Sequence, residues 1–427
     1  MIFLVVIYLL LFSFGFRLGY LNNQYDELRL FQIILVSFSI FILMKNIFIF
    51  KKITIIIFLL IFLFFILNIS DFNVFEAQDF LMWLSLFFIF LSLLKTDFKN
   101  FKIQNSLAIL VCSSVVSICF IFLFIYDFLI LGVKNDWGLY YGGIRVFDSF
   151  IVPVFWLAFF LLKQGNKIIE KVYFYTVLLI GLALLFNGAR SALLSIIFPL
   201  LLLWIIKKDY RCLANRSAKP LVFSFFLYNF IYFVRNFIHT NNLGTNITRL
   251  STSRRYEMWV FMYEKWKQNP FVGLGGGFLA KEQYIYGHHA HNIWLRLIFE
   301  WGLVGFFLVI FIIYQICILF KSEVDPILKM GVLAIVIDAT FSGSFVYPAS
   351  QMSCILFLAL AFSYTKQPDF ISQNFISSKI LILLYIFLFF YIILNFFWVD
   401  LFCFGCMSQE GRLAPFFWEY GGSSHLK

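Results

Sequence analysis

The sequence predicts an all-α fold, a polytopic transmembrane helical bundle of about 12–13 spans with one large outer loop. Three observations predict it. The 427 residues are 62% hydrophobic and only 13% charged. Apolar runs near the length of a bilayer crossing recur from end to end, whereas the short alternating segments of a membrane β-barrel do not occur. The polar side chains gather in one long interruption, residues 239–292, which holds four of the five histidines (His239, His288, His289, His291). Lipid cannot satisfy backbone polar groups, so each span must be a helix. Residues 1–427 therefore read as a single integral membrane domain, with 239–292 as a loop between spans and 399–427 as a short C-terminal tail.

The apolar runs fall at 2–16, 30–44, 53–69, 80–94, 106–126, 149–162, 172–187, 191–206, 220–238, 293–320, 327–346, 350–365 and 380–398. The first starts at Ile2 without a basic flank or a small-residue cleavage site, and reads as an uncleaved span. Basic residues alternate between connections. One set carries Lys45, Lys51 and Lys52; Lys95, Lys99 and Lys102; Lys163, Lys167 and Lys171; it continues through Lys207, Lys208 and Arg211 to Lys321, Lys329, Lys366 and Lys379. Connections 70–79 and 346–350 have no lysine, and the first keeps Asp71, Glu76 and Asp79. Positive residues stay inside, which places the N-terminus inside and the 239–292 loop and C-terminal tail outside.

The same rule accounts for the net charge of +11, which in a soluble chain would suggest nucleic acid. Nucleic acid is excluded as a partner; membrane lipids are expected ones. Cys112, Cys119, Cys317 and Cys354 lie in apolar runs as small hydrophobes, and the lone Cys403–Cys406 pair has no second pair or nearby histidine to complete a zinc site.

Within the outer loop, SRRYEMWVFMYEKWKQ places Tyr256, Trp259, Val260 and Tyr263 on one helical face, so residues 253–268 are expected to form an amphipathic surface helix. Ser251, Thr252 or Ser253 can cap its start, and Asn269-Pro270 ends it. The glycine cluster Gly273, Gly275, Gly276, Gly277 fails the dinucleotide pattern because Phe278 follows, and reads as a tight turn into the next span.

His291 opens that span. Gly302 and Gly305 follow at positions that on a continuous helix fall about 20° and −40° from it, so all three share a face and the glycines are expected to seat the helix against a neighbour. A histidine with a pKa near neutrality can take a proton from an attacking hydroxyl; an interfacial histidine bonded only to its own loop is the alternative. Arg296 and Glu300, at i and i+4, read as a neutralised structural pair. Arg190, in the short outer connection FNGARSALL, lies on the wrong side to fix topology, and an arginine there suits a phosphate gripped in bidentate fashion; contact with a lipid headgroup is the alternative. Arg145 and Arg255 are further outer arginines. Outer arginines and a histidine indicate a phosphorylated donor and a base; no DxD-like motif that would hold Mg²⁺ stands on that face.

These residues resemble a known family. His291-Asn292, nine residues, Gly302, two residues and Gly305 are similar to the H-[NSQ]-x9-G-x2-[GS] motif of bacterial O-antigen ligases. Arg190-Ser-Ala-Leu-Leu194 looks like the family's R-x3-L motif. Arg255 to Trp259, followed by Pro270-Phe-Val-Gly-Leu-Gly275, resembles the R-x3-W and PxxGxG pattern of the wider ligase and polymerase superfamily. The detailed resemblance spans 187–305. It implies a glycosyltransferase of the bacterial inner membrane, multi-pass, with its active site facing the periplasm. It would move a glycan from an undecaprenyl-diphosphate donor to a lipid A–core acceptor, inverting the anomeric centre without metal or cofactor. Carried over, Arg190 and Arg255 would hold the donor diphosphate and His291 would activate the acceptor hydroxyl or help position the site, so these three are the expected catalytic residues; Arg145, Arg254 and Asn292 are expected beside them as substrate contacts. Spacing to Trp259 favours Arg255 over Arg254 for the motif position. The family's usual twelve spans with both ends inside differ from the alternation above. A polymerase or a protein O-oligosaccharyltransferase uses the same donor and remains an alternative acceptor reading. A transporter would place polar residues mid-span and show repeat symmetry, and these are not evident in the sequence.

Overall fold

A computed structural model describes residues 1–16, 24–45, 74–132, 144–239, 254–282 and 289–365, together with Leu383 and Ile386. The expected spans at 53–69 and 380–398, the tail at 399–427, and the Cys403–Cys406 pair lie outside the described residues. Among the described residues every regular element is helical. In chain order these are α1 (Ile2–Ser13), α2 (Gln24–Lys45), α3 (Val74–Leu93), α4 (Phe101–Ile118), α5 (Ile121–Tyr126) and α6 (Ile144–Lys163). They continue with α7 (Lys167–Asn187), α8 (Arg190–Ile206), α9 (Arg211–Ile238), α10 (Arg255–Trp266), α11 (Phe278–Lys281), α12 (Ile293–Lys321), α13 (Pro326–Phe341) and α14 (Pro348–Ser363).

Among the described residues five helical stretches are long and apolar enough to cross a membrane: Phe101–Leu131, Arg145–Lys163, Lys167–Asn187, Lys208–Ile238 and Ile293–Lys321. Their outer surfaces confirm the solvent they face. Along α9, Phe226, Phe230, Phe233 and Phe237 are exposed at helical spacing, while Ser224, Tyr228, Ile231 and Tyr232 are buried on the other side. A helix apolar on its exposed face as well as its buried face belongs in lipid. The chain is a membrane protein.

The bundle is built around α6. Phe155, Trp156, Ala158, Phe159 and Leu161 of this helix are completely buried. It packs against α4, α7, α8, α13 and α14, so it is enclosed by protein on all sides. The two ends of the bundle differ in chemistry. At one end Lys163 meets Asp325 and donates to the Tyr210 hydroxyl at 2.6 Å, and Lys99 lies over the Tyr364 ring. At the other end lie the starts of α3, α6, α8 and α12, the surface helix α10, and the turn between α13 and α14. Lys99 and Lys163, from two of the lysine-rich connections, thus share an end.

The surface helix forms, but with a different buried face. Met258 and Met262 are inside, packed with Phe278, Leu279, Ala290 and Phe299 in a small core separate from the bundle. Tyr256, Val260 and Tyr263 point outward. The expected apolar stripe is therefore corrected: methionines one turn apart, being flexible and unbranched, fill the gap over the loop and α12, whereas the tyrosines keep their hydroxyls in a polar or interfacial setting. The suggested caps Ser251, Thr252 and Ser253 lie outside the described residues. The residue preceding the helix is Arg254, in the left-handed region at φ 59°.

Candidate active site

The site forms where chain segments distant in sequence meet at the lysine-poor end. Its centre is His291, which is not the first residue of a helix. Asn292 is the N-cap of α12, its side-chain oxygen accepting from the backbone of Trp294 and Leu295 at 3.0 Å each. His291 precedes the cap with φ 51°, a left-handed conformation unusual outside glycine. The face expected to be shared by His291, Gly302 and Gly305 does not exist, because α12 is also broken at Gly302 (φ 54°, ψ −129°).

That break explains the glycines. The loop after α10 enters it: Leu274 donates to the Phe299 carbonyl, Gly275 to the Glu300 carbonyl and Leu303 to the Phe271 carbonyl, at 2.9–3.0 Å. A Cβ on Gly302 would stand 2.4 Å from the Phe271 oxygen and 2.7 Å from the Gly273 nitrogen. At Gly305 it would stand 1.8 Å from the carbonyl oxygen of Leu297 in the same helix. The small residues thus admit a loop and the helix's own distorted turn, not a neighbouring helix.

Beneath this junction the expected Arg296–Glu300 pair is present, with the Arg296 Nε to Glu300 Oε2 distance at 3.1 Å. It is larger than expected: Arg296 also pairs with Asp79 of α3, whose other oxygen accepts from the Trp301 indole at 3.1 Å. Glu300 Oε2 also accepts from the Gly277 amide at 3.2 Å, and all three charged groups are buried. One cation between two carboxylates fastens α3, α12 and the glycine loop together.

His291 is 8% exposed and His289 5% exposed, with ring centroids 3.8 Å apart. Arg145 Nη1 lies 3.4 Å from His291 Nε2. A guanidinium has no acceptor, so a bond between them requires the lone pair on Nε2. Burial, then His289, Arg255 and Arg145, hold the His291 pKa well below its ordinary value of 6.5. The ring is therefore neutral at neutral pH.

Around it stand arginines brought by three helix starts: Arg145 at the beginning of α6, Arg190 as the first residue of α8, and Arg255 as the first residue of α10. Arg255 is half-buried and donates to the Phe341 carbonyl at 2.5 Å. Burial, then Arg145, with Arg190 a smaller contributor, lowers its pKa from the ordinary arginine value, so the three cations share a field. Helix N-termini add partial positive charge to that field. The result is a cationic cluster suited to a polyanion such as a diphosphate, with a neutral imidazole beside Arg145.

Among the sequence-predicted residues, His291, Arg145, Arg190 and Arg255 are brought together. Arg254 is exposed beside Arg255, and Asn292 is engaged as a cap. His239 is elsewhere: its Nε2 bonds the Leu129 carbonyl at 2.9 Å. His288 lies outside the described residues. Sequence reasoning missed Tyr347, which meets His289; Asp338, buried and bonded by Ser344; and Arg29, buried on α2. An aspartate within a predicted span is itself a functional signal, and could have found Asp338. Nothing local marks Tyr347. Among the described residues the buried charges Glu27, Arg29, Asp79, Asp148, Arg296 and Glu300 lie in the first two to three turns of their helices, and Arg235 and Asp338 in the last four residues of theirs.

An apolar groove runs from this site between α3, α12, α13 and α14. It begins at Ile293 and Trp294 and continues past Trp83, Phe87, Leu297 and Phe311, with a volume of about 230 Å³. Its lining is almost wholly hydrocarbon and aromatic, with Gln315 the polar member.

Residues 175–310 match the family described as O-antigen ligase. The matched region, about a third of the chain, contains Arg190, Arg255, His291, Gly302 and Gly305, and over it the chain is similar to the O-antigen ligase family. No curated protein and no solved structure matches the chain.

Proposed function

We propose that this membrane protein of the O-antigen ligase and polymerase superfamily transfers a glycan from undecaprenyl diphosphate to a sugar hydroxyl of lipid A–core, on the periplasmic face of the bacterial inner membrane. The observation that carries the reading is the neutral His291, with Nε2 3.4 Å from Arg145 and in the field of Arg255, which Arg190 in turn adjoins electrostatically.

In this reading the donor's diphosphate docks against Arg190, Arg255 and Arg145 through charge-assisted, partly bidentate hydrogen bonds. Arg145 then exchanges His291 for a phosphate oxygen, and the Nε2 lone pair is released for the acceptor. The acceptor hydroxyl gives its proton to Nε2 as its oxygen forms a bond to the anomeric carbon. The bond from that carbon to the diphosphate breaks, and undecaprenyl diphosphate leaves with the electron pair. Attack from the face opposite the leaving group inverts the centre. The arginines stabilise the charge that grows on the departing diphosphate, where fixed cations contribute most to rate. No step calls for a metal or a cofactor. The apolar groove that begins two residues from His291 supports a substrate with a long hydrocarbon tail.

The decisive experiment is deletion in the source bacterium followed by polysaccharide gel analysis. Uncapped lipid A–core with polymer retained on the carrier is the expected result. Core capped with a single repeat would make the protein a polymerase, and unchanged lipopolysaccharide with unglycosylated protein would make the acceptor a protein. His291→Ala and Arg190→Ala should reproduce the deletion with normal membrane insertion; full transfer by His291→Ala would overturn its role as base.

A further inference from the structure

We infer that His289 is a positioning residue for the reaction proposed above, a reading that rests on that proposal. Its imidazole holds the main chain of His291 and thereby sets where the reacting Nε2 stands.

The bonds fix its tautomer. The His291 backbone N–H donates to His289 Nδ1 at 3.4 Å, so Nδ1 carries a lone pair. The neutral ring then carries its proton on Nε2, which faces the Tyr347 hydroxyl at 3.2 Å and donates to it. The Tyr347 ring meets His289 edge-on, with centroids 5.6 Å apart. Tyr347 itself is set by a turn: Val346 and Tyr347 donate to the Gly343 carbonyl, and Arg29 of α2 donates to the Val346 carbonyl. A continuous series of contacts therefore runs from α2 through the α13–α14 turn and His289 to the backbone of His291.

His291 needs such a hold. Its left-handed φ of 51° is a conformation that an L-residue keeps only where its surroundings impose it. Its own Nδ1 is buried without a hydrogen-bond partner among the described residues. A histidine base is commonly oriented through the ring nitrogen that does not react; here that nitrogen is not held, and the grip is on the main chain instead. The ring is fixed from behind by the His289 face and from the front by Arg145.

The test is steady-state transfer by the purified full chain in detergent, with an undecaprenyl-diphosphate oligosaccharide as donor and lipid A–core as acceptor. His289→Ala is expected to lower kcat about 100-fold, the cost of misplacing a catalytic group by roughly 1 Å, with the donor KM unchanged. His289→Asn puts a carboxamide oxygen near the place of Nδ1, restores the acceptor, and should recover kcat to within about tenfold of wild type. His289→Gln places its amide near Nε2, keeps the Tyr347 side only, and should stay as slow as alanine. Thermal midpoints check folding; if His289→Ala unfolds, the Asn and Gln pair carries the test. Equal kcat for Asn and Gln, full kcat for His289→Gln, or a change confined to KM would overturn the positioning role. His291→Ala is run in parallel. If it is inactive while the His289 variants are fully active, only the positioning role fails; if it is fully active, the reaction proposed for the site fails with it.

Discussion

The indole N–H of Trp259 donates to the carbonyl of Ala290 at 2.6 Å, so the surface helix that begins with Arg255 is tied to the residue just before His291. An arginine and a histidine from separate segments are thereby held in register by one hydrogen bond and the methionine-lined core around it. Trp259→Phe keeps the ring's bulk and removes the donor, leaving a carbonyl in a largely buried place. A loss of about 1–2 kcal/mol in local stability is expected, seen as faster proteolysis within 267–290 and a lower kcat. Unchanged proteolysis and turnover would show that packing alone sets the register.

Gly302→Ala should be far more damaging than an ordinary glycine substitution. The added Cβ meets backbone atoms at 2.4–2.7 Å in a left-handed conformation, and backbone cannot swing aside. Gly165→Ala is the control, since its φ is 71° but nothing lies within 4 Å; it should cost about 1 kcal/mol. Comparison of thermal midpoints decides, and equal losses would mean that the loop insertion into α12 is not rigid.

Transfer should be insensitive to pH around neutrality and fail only in acid. The His291 pKa lies well below 6.5, so the ring is unprotonated at neutral pH and gains its inactivating proton only as pH falls through that lowered value. The linked stability has the same direction: the neutral buried ring favours the folded state above the unfolded pKa of about 6.5, and that contribution is lost as pH falls from there toward the folded pKa. A pH–rate profile checks this. An acid limb with its midpoint at or above 6.5 would contradict the buried, arginine-flanked environment.

The arginine patch carries mutual repulsion that an anion relieves. Inorganic diphosphate should therefore raise the thermal midpoint of the wild-type protein by mass action. Arg190→Gln and Arg255→Gln should lose most of that increase and raise the donor KM roughly 10–100-fold, the worth of one hydrogen bond to a charged group. Without diphosphate the midpoint of Arg255→Gln should be lower than wild type, because its bond to the Phe341 carbonyl is lost. Equal stabilisation of both variants by diphosphate would sink the patch as the donor site.

The buried Arg296 cluster should be intolerant of single changes. Arg296→Met strands Asp79 and Glu300 without their cation, at a cost of about 3–5 kcal/mol. Adding Asp79→Asn and Glu300→Gln to that variant removes the stranded charges and should recover much of the folded yield. Detergent-stable protein after size-exclusion chromatography measures it; a triple variant no better than the single would exclude charge stranding as the cause.

Much of the architecture was legible because lipid imposes a simple rule. A segment that must satisfy its backbone internally and face hydrocarbon announces itself as an apolar run, and eleven of the expected runs coincide with a helix among the described residues. Lysine distribution likewise anticipated which connections share an end. The resemblance in 187–305 picked out Arg190, Arg255 and His291, whose motifs have fixed spacing within local chain. What was misread depended on geometry that periodicity assumes away. The face argument for His291, Gly302 and Gly305 presumed a continuous helix, and the chain breaks that helix twice, at the N-cap Asn292 and at Gly302. The surface-helix stripe presumed that tyrosines would turn inward, and the methionines did.

By itself, then, the sequence determined an all-helical membrane protein with arginines and histidines set apart from its apolar runs, since hydropathy, charge placement and motif spacing are properties of contiguous residues. Only the tertiary structure decided which side chains stand beside His291. His289 is two residues away, but Tyr347 is 58 positions from it and Arg145 is 146 positions from His291. Contacts of that separation are set by how α6, α12 and the α13–α14 turn pack, and no local pattern encodes them.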